Sequence, residues 1–234
     1  MNQKKTLKTC AGEIVLDGRK VAFLPESGTL LVADMHFEKG SYLRTKGRSM
    51  LPAYDTHDTV ERLWAIAQDY RPKQIVALGD SFHDIEADTR LSPQSADRLN
   101  AIETALCNII WVLGNHDPDI PEAVRGTRED HVQIGKFLLT HHPLDHDGGY
   151  NICGHYHPKD KVSSAKGSVS APCFAISPTR MIMPSFGTYT GGLYVTDPAF
   201  KQAMPDLMSV ALTYEERVFQ IAASHRQELG KQTQ

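Results

Sequence analysis

Cysteine is scarce and scattered: Cys10, Cys107, Cys153 and Cys173 form no C-x-x-C pair. That excludes a structural zinc knuckle and a secreted disulfide framework, and it predicts reduced, buried thiols. No apolar run approaches the roughly 18 residues that a membrane span requires. Lys4, Lys5 and Lys8 are followed by neither an apolar core nor a small-residue cleavage site, so the expectation is a soluble, cytoplasmic protein that does not engage a membrane. Excess positive charge is missing too. With 25 Lys and Arg against 28 Asp and Glu the net charge is -3, so nucleic acid cannot be held by bulk charge and would need a local basic groove. Internal repeats and low-complexity tracts are absent. What is present is 234 residues, 41% of them hydrophobic, enough for the core of one large domain. Histidine, at eleven, is the informative excess.

The apolar pattern begins with Glu13-Ile14-Val15-Leu16 and Lys20-Val21-Ala22-Phe23-Leu24 around Asp17-Gly18, a β-hairpin signal. Thr29-Leu30-Leu31-Val32-Ala33-Asp34 follows, a continuous apolar run ending in a carboxylate, as in a strand buried on both faces. Gln74 to Asp80 and Ile109 to Asn115 repeat it. Between them, Val60, Leu63, Trp64 and Ala67 have helical spacing after Asp55, and Ser92-Pro93 supplies an N-cap and first turn before Leu99, Ile102 and Leu106. The order is βαβαβ. Phe137 to His141 and Tyr150 to His155 read as further strands. Beyond Pro158, Cys173 to Ile176, Arg180 to Met183 and Leu193 to Val195 read as a second, mainly antiparallel sheet without intervening helix. The expected architecture is α/β: two packed sheets flanked by helices in a single domain over 1–222, with a polar tail over 223–234.

Polar groups gather just past the carboxyl ends of these strands, where open α/β sheets place their sites. In order they are Asp34-Met35-His36, Gly79-Asp80-Ser81-Phe82-His83-Asp84, Gly114-Asn115-His116-Asp117, His141-His142-Pro143 and Gly154-His155-Tyr156-His157. Any one alone would suit a capping aspartate or a satisfied core histidine. Five in succession, rich in Asp, His and Asn and free of thiolates, suit a hydrolytic site for manganese, iron or zinc.

D-x-H, G-D, G-N-H-D, H-x-P and G-H-x-H in this order resemble the calcineurin-like metallophosphoesterase superfamily. The wording of Ala33 to Ser41, Leu78 to Asp84, Gly114 to Pro118 and Pro184 to Gly192 is similar to its ligase-associated DNA damage response endonuclease (PdeM) subfamily, across nearly the whole chain. The resemblance implies a sandwich of two mixed β-sheets flanked by helices. It also implies a two-metal phosphodiesterase, a DNA endonuclease in repair, associated in function with an ATP-dependent DNA ligase, a helicase and a second nuclease.

Carried over by position, the resemblance gives Asp34, His36 and His157 to one divalent metal and Asn115, His141 and His155 to the other, with Asp80 bridging. Manganese is the expected metal, with iron or zinc as alternatives. His141 is preferred to His142 because the ligand in the superfamily lies two residues before the proline. His116 would face the reacting phosphate, as a transition-state stabiliser or acid, with Asp117 orienting it. His83, where the superfamily commonly has an acid, and Asp84 support the metal ligands from behind, contact the substrate, or are turn residues. His57, His131, His146 and His225 lie outside the motifs and read as ordinary surface or helix histidines.

Two features bear on substrate. Lys39, Arg44, Lys46 and Arg48 follow the first motif in a loop opposed only by Glu38, which suits either a groove for polynucleotide phosphates or a solvated surface. The glycine and aromatic segment from Phe186 to Tyr194 offers N–H groups and stacking rings, or merely a tight connection. Nucleic acid, DNA in particular, is the leading substrate. The same metal core would serve small phosphoesters such as cyclic nucleotides or nucleotide diphosphate conjugates. A non-catalytic metal-binding scaffold is the reading from a different class, and the full set of candidate ligands speaks against it.

Overall fold

The computed structural model describes residues 3–47, 54–164 and 167–223; Arg48, His225 and the tail after residue 223 lie outside the described residues. In the first sheet, β1 (Lys4–Thr9), β2 (Gly12–Asp17), β3 (Val21–Leu24), β4 (Thr29–Val32), β5 (Gln74–Leu78), β6 (Asn108–Val112) and β7 (Thr127–Glu129) lie side by side in chain order. Pairing is antiparallel from β1 to β4 and parallel from β4 to β7. The parallel half is the expected βαβαβ unit. After β4 come α1 (Lys39–Thr45) and α2 (Asp55–Tyr70); after β5 come α3 (Ala87–Arg90) and α4 (Pro93–Ala105).

α2 buries Val60, Leu63, Ile66 and Ala67, while Trp64 stays half-buried with the Arg98 guanidinium 4.0 Å from its ring centroid. α4 starts as its sequence dictates: the Ser92 hydroxyl accepts the Ser95 N–H at 3.1 Å and Pro93 opens the first turn. A cap of this kind is worth about 1 kcal/mol. The stretch holding Lys39, Arg44 and Lys46 is not the expected loop, since Lys39 and Arg44 lie on α1 and Lys46 caps its end.

The second sheet contains β8 (Val132–Ile134), β9 (Phe137–Thr140), β10 (Tyr150–Cys153), β11 (Lys159–Ser164), β12 (Gly167–Ile176), β13 (Arg180–Ile182), β14 (Ser209–Tyr214) and β15 (Arg217–Ala222). Its order is β15-β14-β12-β13-β10-β9-β8, with β11 paired to β12. β10 runs parallel to both β9 and β13, so the sheet is mixed. Leu193 to Val195 is not a strand. Tyr194 makes one isolated bridge to Lys159, because Gly191-Gly192 precede it and Asp197 already caps α5 (Pro198–Ala203).

Three apolar layers result. Leu31, Val76, Leu78, Leu139, Ile152, Phe174 and Met181 fill the space between the sheets. Leu30, Val32, Ile75 and Ile109 take the opposite face, against Leu63, Leu99 and Ile102 of the helices; β4 thus alternates between two cores, as period-2 geometry requires. Phe200 and Met204 from the α5 region pack on Cys153, Cys173 and Val210. Cys107, Cys153 and Cys173 are buried, whereas Cys10 is exposed. Among the described residues no helix is long and apolar enough to cross a membrane.

Candidate active site

The strand-end loops pair with one another beyond the sheets. Asp34 N–H donates to Gly79 O at 3.2 Å, His36 N–H to Asp80 O at 2.9 Å, and Gly154 N–H to His141 O at 3.1 Å. Five of the expected ligands lie in the left-handed backbone region: Asp34, His36, Asp80, His155 and His157, with φ of 53, 47, 48, 71 and 45°. Such residues each cost roughly 1–3 kcal/mol, which the surrounding structure must over-determine. Strain is concentrated where the polar side chains meet. Gly79, at φ +77°, opens the β5 turn, and a Cβ there would lie 2.4 Å from His141 Nδ1.

Asp34, His36, Asp80 and His157 form one group whose ligand atoms lie within 4.8 Å of one another, and His141, His142 and His155 form a second. Asn115 belongs to the second, with its Oδ1 3.0 Å from His141 Nε2. Asp80 touches both: its Oδ1 is 3.4 Å from His141 Nε2 and its Oδ2 is 4.0 Å from His36 Nε2. His141 is buried, whereas His142 is exposed with its ring 4.1 Å from that of His155.

Backbone carbonyls decide which ring nitrogens point inward. His141 Nδ1 donates to Leu78 O at 2.9 Å and His157 Nδ1 donates to Gly191 O at 3.2 Å, which turns Nε2 of each ring inward, where it offers a lone pair whenever the ring is neutral. His157 Nε2 then faces Asp34 Oδ1 at 3.1 Å and His36 Nε2 at 3.4 Å. The lone pairs of His157 Nε2 and Asp34 Oδ1 at such a distance repel unless a proton or a metal cation lies between them. The electrostatics agree. Burial, with His157 beside it, holds His36 neutral. Burial opposes a charge on His141, yet its hydrogen bond to Asp80 and the charge of Asp34 push it up to about 9, so positive charge, a proton or a metal ion, is favoured at its Nε2. Burial raises the Asp80 carboxyl, but His141 and the His116 N–H hold it well below the ordinary carboxylate range. This donor set fits divalent metal ions.

The calcineurin-like phosphoesterase family model matches residues 29–167, from β4 to the start of β12, and so takes in every one of these donors. The chain belongs to that family. This calcineurin-like phosphoesterase is accordingly a metal-dependent enzyme. It superposes on the crystal structure of Pseudomonas putida nuclease MPE with a TM-score of 0.68 at 23% identity, over 93% of this chain and 100% of that chain, a likeness of fold. A second structure, Yfce, a phosphoesterase from E. coli, gives a TM-score of 0.44 at 15% identity over 83% of this chain and 98% of that one. Comparison with curated proteins gives no match.

Around the donors of this phosphoesterase, some expected roles move. His116 Nδ1 donates to His83 O at 2.9 Å, its ring stacks on that of His83 at 5.5 Å and 13°, and its half-exposed Nε2 sits 4.0 Å from Asp80 Oδ2. His83 also places Nδ1 3.5 Å from His36 Nδ1. The group that orients His116 is thus the carbonyl of His83 and not, as the motif implies, Asp117. The buried Asp117 carboxyl instead accepts N–H groups of Ser81 at 2.7 Å, Phe82 at 3.0 Å and Gly114 at 3.1 Å, tying the β5 loop to the β6 loop. Asp84 pairs with Arg90 at 2.6 Å rather than facing the donors. Lys39 lies close enough to feel Asp80, whereas Arg44 and Lys46 are exposed, the latter beside the Tyr42 ring. Glu38 is buried and accepts from Thr56 and Ser41, so it does not oppose these cations at the surface.

Residues 184–188 form a strap, and the backbone N–H groups of the glycine and aromatic segment that begins at Phe186 go to the Asp34 loop. Phe186 N–H donates to Ala33 O at 2.8 Å and Gly187 N–H to Asp34 O at 3.2 Å. A Cβ on Gly187 would lie 2.2 Å from Met35 O. Gly187→Ala is therefore expected to push the strap off the Asp34 loop and cost about 1–3 kcal/mol, the usual penalty for overpacking. Thermal unfolding together with metal content of the purified variant checks this; an unchanged melting temperature and full metal loading would contradict it.

Proposed function

We propose that this enzyme is a two-metal phosphodiesterase acting on nucleic acid, as a DNA endonuclease in repair, with manganese as its metal. The observation that carries the reading is the pair of donor groups joined through Asp80, with the His116 Nε2 beside them and open to solvent. Asp34, His36 and His157 would hold one ion, Asn115, His141 and His155 the other, and Asp80 would serve both. When bound, two such ions supply Lewis-acid stabilisation of phosphoryl charge and a hydroxide nucleophile at neutral pH. The chain supplies the rest. Leu78 O and Gly191 O fix ring tautomers, His83 O aims His116, and His116 stabilises the phosphoryl charge or protonates the leaving oxygen.

Support for nucleic acid comes from the nuclease named in the fold comparison and from the cations at and after α1. The motif resemblance adds the repair setting, alongside a DNA ligase, a helicase and a second nuclease. The test is manganese-loaded protein against circular and linear DNA, a cyclic nucleotide and a generic phosphodiester. Nicking of closed circles supports the reading; hydrolysis of small diesters with no cleavage of any DNA overturns it.

Replacing Arg44, Lys46 and Arg48 together should weaken DNA binding uniformly across sequences. The slope of log affinity against log salt should shrink by about 0.7–0.9 for each phosphate-neutralising charge removed. Small-diester turnover should persist. A parental slope in the triple variant would make this segment only a solvated surface.

A further inference from the structure

A concentration of positive charge lies apart from the metal donors. A cavity of 310 Å³ is lined by Arg19 and Lys20 of the β2–β3 turn, Arg62, Ala65 and Ile66 of α2, and Glu216 of the β14–β15 turn. Lys20 Nζ and Arg62 Nη2 converge on one acceptor, Phe186 O, at 3.2 and 2.9 Å. Two cations sharing a carbonyl repel each other, and their neutralisation is uneven. Arg62 has Asp58 at 3.1 Å, and Arg19 is paired with Asp17 and Asp69. Among the described residues no carboxylate pairs with Lys20 Nζ, which meets only that carbonyl. An ammonium carries three donors and is costly to bury without a counter-charge. The strain shows in its basicity: burial first, then Arg62, lowers Lys20 to about 8 against the opposing pull of Asp58. A water occupies about 30 Å³, so the cavity has room for a phosphate group and several waters.

We propose that this cavity is a second, non-catalytic binding site for a phosphate group, held by Lys20 and Arg62. The ligand is either free inorganic phosphate or the terminal phosphate of a polynucleotide, which present the same oxygens. Its anion neutralises the repulsion between the two cations without displacing them from Phe186 O. Because Phe186 N–H and Gly187 N–H hold the Asp34 loop, an occupied cavity steadies the strap that borders the metal donors. The inference does not depend on DNA being the substrate.

Calorimetric titration of the manganese-loaded protein with inorganic phosphate tests it. The metal centre also takes phosphate, so the diagnostic is one additional site. That site should weaken about tenfold or more in Lys20→Met, the scale of one charge-assisted hydrogen bond. It should tighten in Glu216→Gln, which removes the lining carboxylate, and weaken as the pH rises through about 8, where Lys20 loses its proton. A 5′-phosphorylated oligonucleotide and its unphosphorylated twin separate the two sources: displacement of phosphate from the additional site by the first alone identifies a chain end, and displacement by neither identifies free phosphate. Identical isotherms for the parent, Lys20→Met and Glu216→Gln would overturn the proposal, because all binding would then be at the metal centre.

Discussion

Asp80→Asn should lose turnover by about 10³-fold or more, a larger defect than the loss of any donor that serves one group alone. Asp80 has one oxygen 3.4 Å from His141 Nε2, and the other lies 4.0 Å from His36 Nε2. Its Oδ1 also accepts the His116 N–H at 2.9 Å, so a single carboxylate organises both donor groups and the loop of the proposed acid. An amide keeps the shape and removes the charge. The Lewis-acid contribution to phosphoryl transfer is several kcal/mol, and each ~1.4 kcal/mol is a decade in rate. Rates and metal analysis on Asp80→Asn beside His36→Ala check this. The His36 variant should lose chiefly the group containing Asp34 and His157. Near-normal turnover of Asp80→Asn with two metals bound would sink the bridging role.

His116→Gln should behave differently, keeping both metals while losing ~10²- to 10⁴-fold in rate, the usual worth of a positioned acid or base. Its Nδ1 is committed to His83 O at 2.9 Å, so Nε2 is the nitrogen left to act on substrate. The split between substrates is the sharper signature. A nitrophenyl diester has a leaving group that needs little protonation, so its defect should be the smaller one. Equal defects on good and poor leaving groups would contradict the acid role, and loss of metal would place His116 among the structural supports of the donors.

In the first sheet, legibility in the sequence followed burial. The βαβαβ unit could be read because β4, β5 and β6 are continuous apolar runs and because Ser92-Pro93 marks a helix start that the structure reproduces. β1 and β7 escaped for the opposite reason: Lys4–Thr9 is mostly polar and half exposed, Thr127–Glu129 has no apolar residue, and both sit at sheet edges. Leu193 to Val195 misled, being apolar but too confined by glycines and the α5 cap to join a ladder. The gathering of Asp, His and Asn side chains was legible since the strand ends place them. The cations beneath the Phe186 carbonyl were not, because Lys20, Arg62 and Phe186 meet only through tertiary packing and carry no local pattern. Asp117 was legible as important but not as a backbone cap, since accepting three N–H groups from two loops leaves no mark in sequence.

If the two donor groups work as one centre, turnover of a small phosphodiester should require both of them to be filled as metal-free protein is titrated with Mn²⁺. The stripped protein should show no activity, and the rate should reach its plateau at two equivalents of bound metal. A plateau at one equivalent, or turnover persisting in chelator, would contradict it.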